Sequence, residues 1–139
     1  MLRLRMEAAA SVAHDADGAL TAIGMAYIGF GLENLAYYQL MFGQELQSDS
    51  GLPADLLAAA EASRAVLRNA VRRGAHDGSF DVDADDPLVM VAGVVACWAM
   101  VHEFTLLAID GLAQLETAVD VEELAALVGA RLRRGLVKR

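Results

Sequence analysis

The stretch Pro87-Leu-Val-Met90-Val-Ala-Gly93-Val-Val-Ala96-Cys-Trp98-Ala-Met100-Val-His102-Glu103-Phe-Thr105-Leu-Leu107-Ala-Ile109 decides the fold. Its first fifteen residues, Pro87 to Val101, contain no charge. A run of that length reads as a helix with apolar side chains on every side, so neighbouring elements must cover it from several directions. Its start is marked by chemistry. Asp86 offers an N-cap acceptor, Pro87 has its φ preset and no N–H to lose, and Asp83 and Asp85 put negative charge at the positive end of the helix dipole. At roughly 100° per residue, Trp98, His102, Thr105 and Ile109 fall on one stripe, which Val91, Val94 and Val95 extend. That stripe reads as a pocket wall with an indole, an imidazole and a hydroxyl as polar handles. Gly93, Ala96, Met100, Glu103 and Leu107 lie opposite, and their small residues read as a seam for another helix.

The rest of the sequence sets bounds. A chain of 139 residues is one domain by length and can bury a core without staples. It is 56% hydrophobic, has two prolines, and lacks runs of β-branched residues alternating with polar ones, which predicts an all-α antiparallel helical bundle. The net charge of −8 argues against this chain gripping nucleic acid, whose phosphates call for Lys and Arg. Basic residues nevertheless cluster at Arg64, Arg68, Arg72 and Arg73 and again from Arg131 onward. Cations at helix C-termini and a phosphate-binding patch both fit that pattern. One cysteine, Cys97, excludes an internal disulfide and fits a reducing compartment. With no export signal at the N-terminus, a cytoplasmic location is expected. The apolar helix is long enough to span a bilayer, but His102 and Glu103 would lie deep in lipid and the other helices are amphipathic, so no membrane partner is expected.

Taken in order, residues 2–13 read as a helix without an N-cap. Ala19, Ile23, Ala26, Tyr27, Phe30 and Asn34 mark a second helix, in which Gly24, Gly29 and Gly31 leave room for a neighbour or a ligand. Leu35 to Phe42 reads as a short helix closed by Gly43, and Pro53 opens a long one to about His76, with Gly78 beyond its end. The acidic segment Asp81-Val-Asp83-Ala-Asp85 lacks the glycine and glutamate of an EF-hand and reads as a solvated loop feeding the cap at Asp86. Asp120 and Glu123 stand at capping-box spacing before a final helix, whose apolar stripe includes Val121, Leu124, Ala125, Val128, Leu132 and Leu136.

The inventory for catalysis is thin. None of His14, His76 and His102 has a second ligand-type residue at metal spacing, Cys97 and His102 diverge around their helix, and neither a phosphate loop nor a nucleophile elbow occurs. No catalytic residue, metal or cofactor is therefore expected. His102 reads either as a core histidine bonded to protein groups or as a contact to a ligand beside Trp98. Tyr27, Phe30, Tyr37, Tyr38, Met41 and Met90 fit a core or a pocket lining alike. Glu103, amid apolar residues, calls for a cross-helix or cross-subunit arginine such as Arg131 or Arg134.

Two passages carry a family resemblance: Ala26-Tyr-Ile-Gly-Phe-Gly-Leu-Glu33-Asn34-Leu35-Ala-Tyr37-Tyr38-Gln-Leu40-Met41-Phe42-Gly43, and Cys97-Trp98-Ala-Met-Val-His102-Glu103-Phe-Thr-Leu-Leu-Ala-Ile-Asp110-Gly111. Together they resemble the C-terminal regulatory core of TetR-family transcriptional regulators, in the subfamily with a Trp-His-Gly signature. Leu35 stands where that family usually has Pro, which should soften the kink between two helices, and Glu103 replaces the signature Gly. The resemblance implies a helical core that dimerises through its last two helices, binds a small, often apolar effector, and controls an N-terminal helix-turn-helix as a repressor. It implies that residues 1–13 are the remnant of the helix leading from a DNA-binding part absent from this chain, so that DNA is a partner only through that part. Pocket candidates are then Trp98, His102, Thr105, Tyr27, Phe30, Tyr37, Met41 and Met90. Interface candidates are Gly93, Ala96, Met100, Glu103, Leu107, Leu124, Val128 and Leu132. A free-standing carrier or enzyme for an apolar molecule, or a purely structural dimerisation module, are the competing readings.

Overall fold

The computed structural model describes residues 2–36, 38, 54–109, 111 and 120–136. They form five helices: α1 (Leu2–Ser11), α2 (Ala16–Glu33), α3 (Ala54–Asp77), α4 (Pro87–Ile109) and α5 (Val121–Leu136). No strand occurs among the described residues.

Three of these helices start on an aspartate. The Asp15 carboxylate accepts from the Gly18 N–H at 2.6 Å, Asp86 from Leu88 and Val89 at 2.9 and 3.3 Å, and Asp120 from Glu122 and Glu123 at 2.8 and 3.5 Å. Each satisfies N–H groups that the first turn of a helix leaves without partners. α3 ends before Gly78, whose φ of +80° is the left-handed conformation that glycine adopts without a Cβ penalty.

Three helices cover the apolar helix, as its pattern predicts, but it does not stand at the centre of the domain. α2 packs against each of the other four helices and holds that place. Ile23, Tyr27, Ile28 and Phe30 on α2 are almost wholly buried. On α4 only Cys97, Val101, Phe104 and Thr105 are buried, while Leu88 is 78% exposed, Val91 57% and Val95 52%. The reason is geometric. A helix with apolar residues all round has no preferred rotation, so the neighbours α2, α3 and α5 cover one side and leave the other open. α3 and α4 run antiparallel, since Arg64 sits over Trp98 while Val71, seven residues on, meets Gly93.

The acidic connection between α3 and α4 is also more than a solvated loop. Phe80 and Val82 are buried, the Phe80 N–H donates to the Gly74 carbonyl at 3.0 Å, and the Asp81 N–H donates to the Leu136 carbonyl at 2.7 Å. The loop thereby fastens the end of α5 to the end of α3. At the other end of the domain Asn34, with φ −127° and ψ 55°, breaks α2, and residues 35, 36 and 38 resume helical conformation. The break is retained although residue 35 is leucine.

Two glycines are fixed by close packing. A Cβ at Gly31 would overlap the Thr105 methyl and crowd the Tyr38 ring, and one at Gly74 would overlap the Phe80 ring. Nothing lies within 4 Å of the Cβ position at Gly29. Gly74→Ala is expected to cost about 1–3 kcal/mol by overpacking, whereas Gly29→Ala should be neutral or stabilise by up to about 1 kcal/mol through helix propensity. Urea midpoints of the two variants check this; equal shifts would contradict the packing described.

Candidate functional site

A polar cluster sits where α2, residue 38 and α4 meet. The hydroxyls of Tyr38 and Tyr27 lie 2.8 and 3.0 Å from the His102 Nδ1 and 3.1 Å from each other. With the imidazole proton on Nε2, the Tyr38 O–H donates to Nδ1 and the Tyr27 O–H donates to the Tyr38 oxygen. The two tyrosine rings meet edge-on at 5.9 Å, and the imidazole stands between the rings of Tyr38 and Trp98, 5.8 and 5.6 Å away. Thr105, fully buried, turns its hydroxyl back to the Val101 carbonyl at 2.6 Å.

Burial pushes the Tyr38 phenol far above its ordinary range. It raises Tyr27 less, because hydrogen bonds to Tyr38 and Trp98 and the charge of Arg64 oppose it. His102 is lowered by burial against the raising pull of Glu103. The fold therefore favours neutral groups throughout the cluster. This is the core-histidine arrangement, with protein hydroxyls as partners.

The open space lies on the other side of Trp98. A cleft of about 500 Å³ runs between α3 and α4, with Leu67, Met90, Val91, Val94, Val95 and Trp98 as its apolar lining and Arg64, Arg68 and Arg72 along one rim. The Arg64 guanidinium stacks over the Trp98 ring, 5.4 Å from its centroid, an arrangement favoured by the ring quadrupole. Arg64, Leu67 and Trp98 also border a second, much smaller void of about 10 Å³, faced by Met6, Tyr27 and Ser63. The Arg64–Trp98 stack thus stands between an open cleft and the interior.

The structure divides the pocket candidates. Trp98 and Met90 line the cleft, with the predicted valines beside them. Tyr27 faces the inner void, His102 and Thr105 belong to the polar cluster, and Phe30 is core. Tyr37 and Met41 lie outside the described residues. The interface candidates divide as well. The Cβ position of Gly93 is 3.5 Å from Val71 and Val82, and that of Gly129 is 3.9 Å from the Met100 methyl, so Gly93 and Met100 pack within the chain. Leu124, Val128 and Leu132 are half-buried against the core. Ala96, Glu103 and Leu107 are exposed, and Leu88, Ala92 and Ala99 continue their face.

The sequence shows the arginines of α3 as a basic cluster and does not join Arg64 to Trp98. Their four-residue spacing from 64 to 72 was the available signal. Nor does Glu103 meet Arg131 or Arg134 within the described residues. Arg133 instead approaches Asp17 at 3.0 Å, as an ion pair without hydrogen-bond alignment.

Five helices around one apolar core, with no group of three metal-ligating side chains among the described residues, define an all-α domain with a cleft on one flank. The chain belongs to the family described as tetracyclin repressor-like, C-terminal domain, which matches residues 20–132. That is a regulatory, non-enzymatic family. A solved structure of a protein with unknown function from Rhodococcus sp. RHA1 is similar in fold, with a TM-score of 0.82 and 21% identity, over 99% of this chain and 67% of that one. No curated protein matches.

The cluster makes a pH prediction. An unfolded histidine takes up its proton near pH 6.5, and His102 in the fold resists until lower pH. Between those values the unfolded chain binds more protons, so stability falls as pH drops through about 6.5. The urea midpoint is expected to decline between about pH 7.5 and about pH 5.5, and His102→Gln to remove that part of the decline. An unchanged pH dependence in the variant would contradict it.

Proposed function

We propose that this chain is the effector-binding and dimerisation core of a TetR-like transcriptional repressor, acting in the cytoplasm, whose DNA contacts are made by a helix-turn-helix outside these 139 residues. One observation carries the reading: α4 leaves open an apolar face of Leu88, Ala92, Ala96, Ala99 and Leu107. Soluble monomers rarely expose a contiguous apolar patch of any size, and small residues at helical spacing let a partner helix approach closely. A second copy would bring the same helix and the same face, as a two-fold interface requires. α4 is also apolar and long enough to cross a membrane. Glu103 on the open face, and three partner helices on the other, favour the dimer.

The cleft beside that face is the effector site in this reading. A molecule wedged against Trp98 displaces the Arg64 stack and presses on the inner void, one wall of which is Met6 of α1. α1 is held to the core by buried Leu2 and Met6 and by the 2.7 Å Arg5–Glu33 ion pair. A shift of that helix is how an effector favouring one arrangement of the core would alter the spacing of two recognition helices.

Ala99→Glu tests the interface at a position already open to solvent, where the fold loses nothing. The expected outcome is a dimer for the unchanged chain and a monomer of equal helicity for the variant, by gel filtration with light scattering. A variant that remains dimeric would remove α4 from the interface.

A further inference from the structure

Resting on that reading of the cleft, we infer that its ligand is an amphipathic carboxylate, with its acid group on Arg72 at the α4 end of the cleft and its apolar body lying along Val91 and Val94 to Trp98. The argument is one of charge placement. In a chain of net charge −8, three guanidinium groups follow one rim of a single cleft. From residue 64 to 72 they cover about 12 Å at 1.5 Å per residue.

The three are not equivalent. Glu61 takes Arg64 at 3.0 Å and Arg68 at 2.7 Å, so both guanidinium groups at the Trp98 end of the rim already share a carboxylate partner. Arg72, beside Pro87 and Ala84, makes no ion pair among the described residues. Of the three aspartates flanking Ala84 and Pro87, Asp86 accepts from the Leu88 and Val89 N–H groups and Asp83 from the Asp85 N–H, while Asp85 forms no ion pair with Arg72 among the described residues.

The walls match the other half of such a molecule. Their lining is aliphatic except for one indole, and a volume of about 500 Å³ lies within the range of about 300–1,000 Å³ typical of small-molecule sites. A guanidinium fork binds a carboxylate through two parallel N–H···O bonds, which gives the charged end an orientation that the apolar floor cannot supply. A neutral apolar effector would leave Arg72 as it is and have no reason to prefer one direction along the cleft.

Trp98 is the only tryptophan in the chain and lines the cleft, so its fluorescence reports occupancy directly. Decanoate, kept below its micelle concentration, is expected to change Trp98 emission saturably and to bind at least tenfold more tightly than 1-decanol. Arg72→Gln, at an exposed position, should weaken decanoate at least tenfold and leave 1-decanol unchanged. Equal binding of the two probes, or full decanoate affinity in the variant, overturns the carboxylate assignment while leaving an apolar effector site in place. Binding of neither probe to an intact dimer also overturns it, and dimerisation, measured separately, decides the regulator reading.

Discussion

Twenty-three residues of α4 contain a single carboxylate, Glu103, and no lysine or arginine, so the cost of leaving that helix wet governs the rest of the domain. Its neighbours bury one side only. The other side, from Leu88 through Ala92, Ala96 and Ala99 to Leu107, stays open. Each exposed Leu or Val forgoes up to about 1.5–3 kcal/mol relative to full burial, and Glu103 is the one charge that interrupts the open row. In the proposed dimer a second copy of the same helix would provide the area that this chain lacks, and the alanines would set how closely it can come.

The covered side is held by polar chemistry as well as by packing. Tyr27 on α2, Tyr38 beyond the break at Asn34, and His102 on α4 bond to one another at 2.8 to 3.1 Å. Each buried polar atom finds its partner on a different segment, so the cluster fixes the rotation of α4 that its apolar pattern leaves undecided. Gly31 serves the same junction by letting Thr105 and Tyr38 close over α2. With the rotation fixed, Trp98 faces Arg64 and the valines line the cleft. The geometry of the proposed effector site therefore follows from a hydrogen-bonded core beside it.

Much of this was legible in the sequence. Asp86-Pro87, Asp120 and Gly78 marked helix ends where the structure has them, because capping is local chemistry that needs no tertiary partner. The wall of Val91, Val94, Val95 and Trp98 was legible for a similar reason: residues at helical spacing share a face whatever covers it. What covers it was not. Val71, Val82 and Gly129 take up Gly93 and Met100 from within the chain, a choice made by helix rotation. The Phe80 and Val82 anchors were hidden in an acidic segment whose aspartates suggested only solvent. Arg64 read only as part of a basic cluster because a cation–π partner on another helix has no sequence spacing. His102 stood between two readings until its tyrosine partners were placed.

The central claim is that the open face of α4 is covered by a second copy of this chain. Sedimentation equilibrium of the unmodified chain at micromolar concentration, repeated at high salt, tests it most directly. The account predicts a dimer whose association is undiminished by salt, as burial of an apolar face requires. A monomer at all concentrations, or a dimer that salt dissociates, would contradict it.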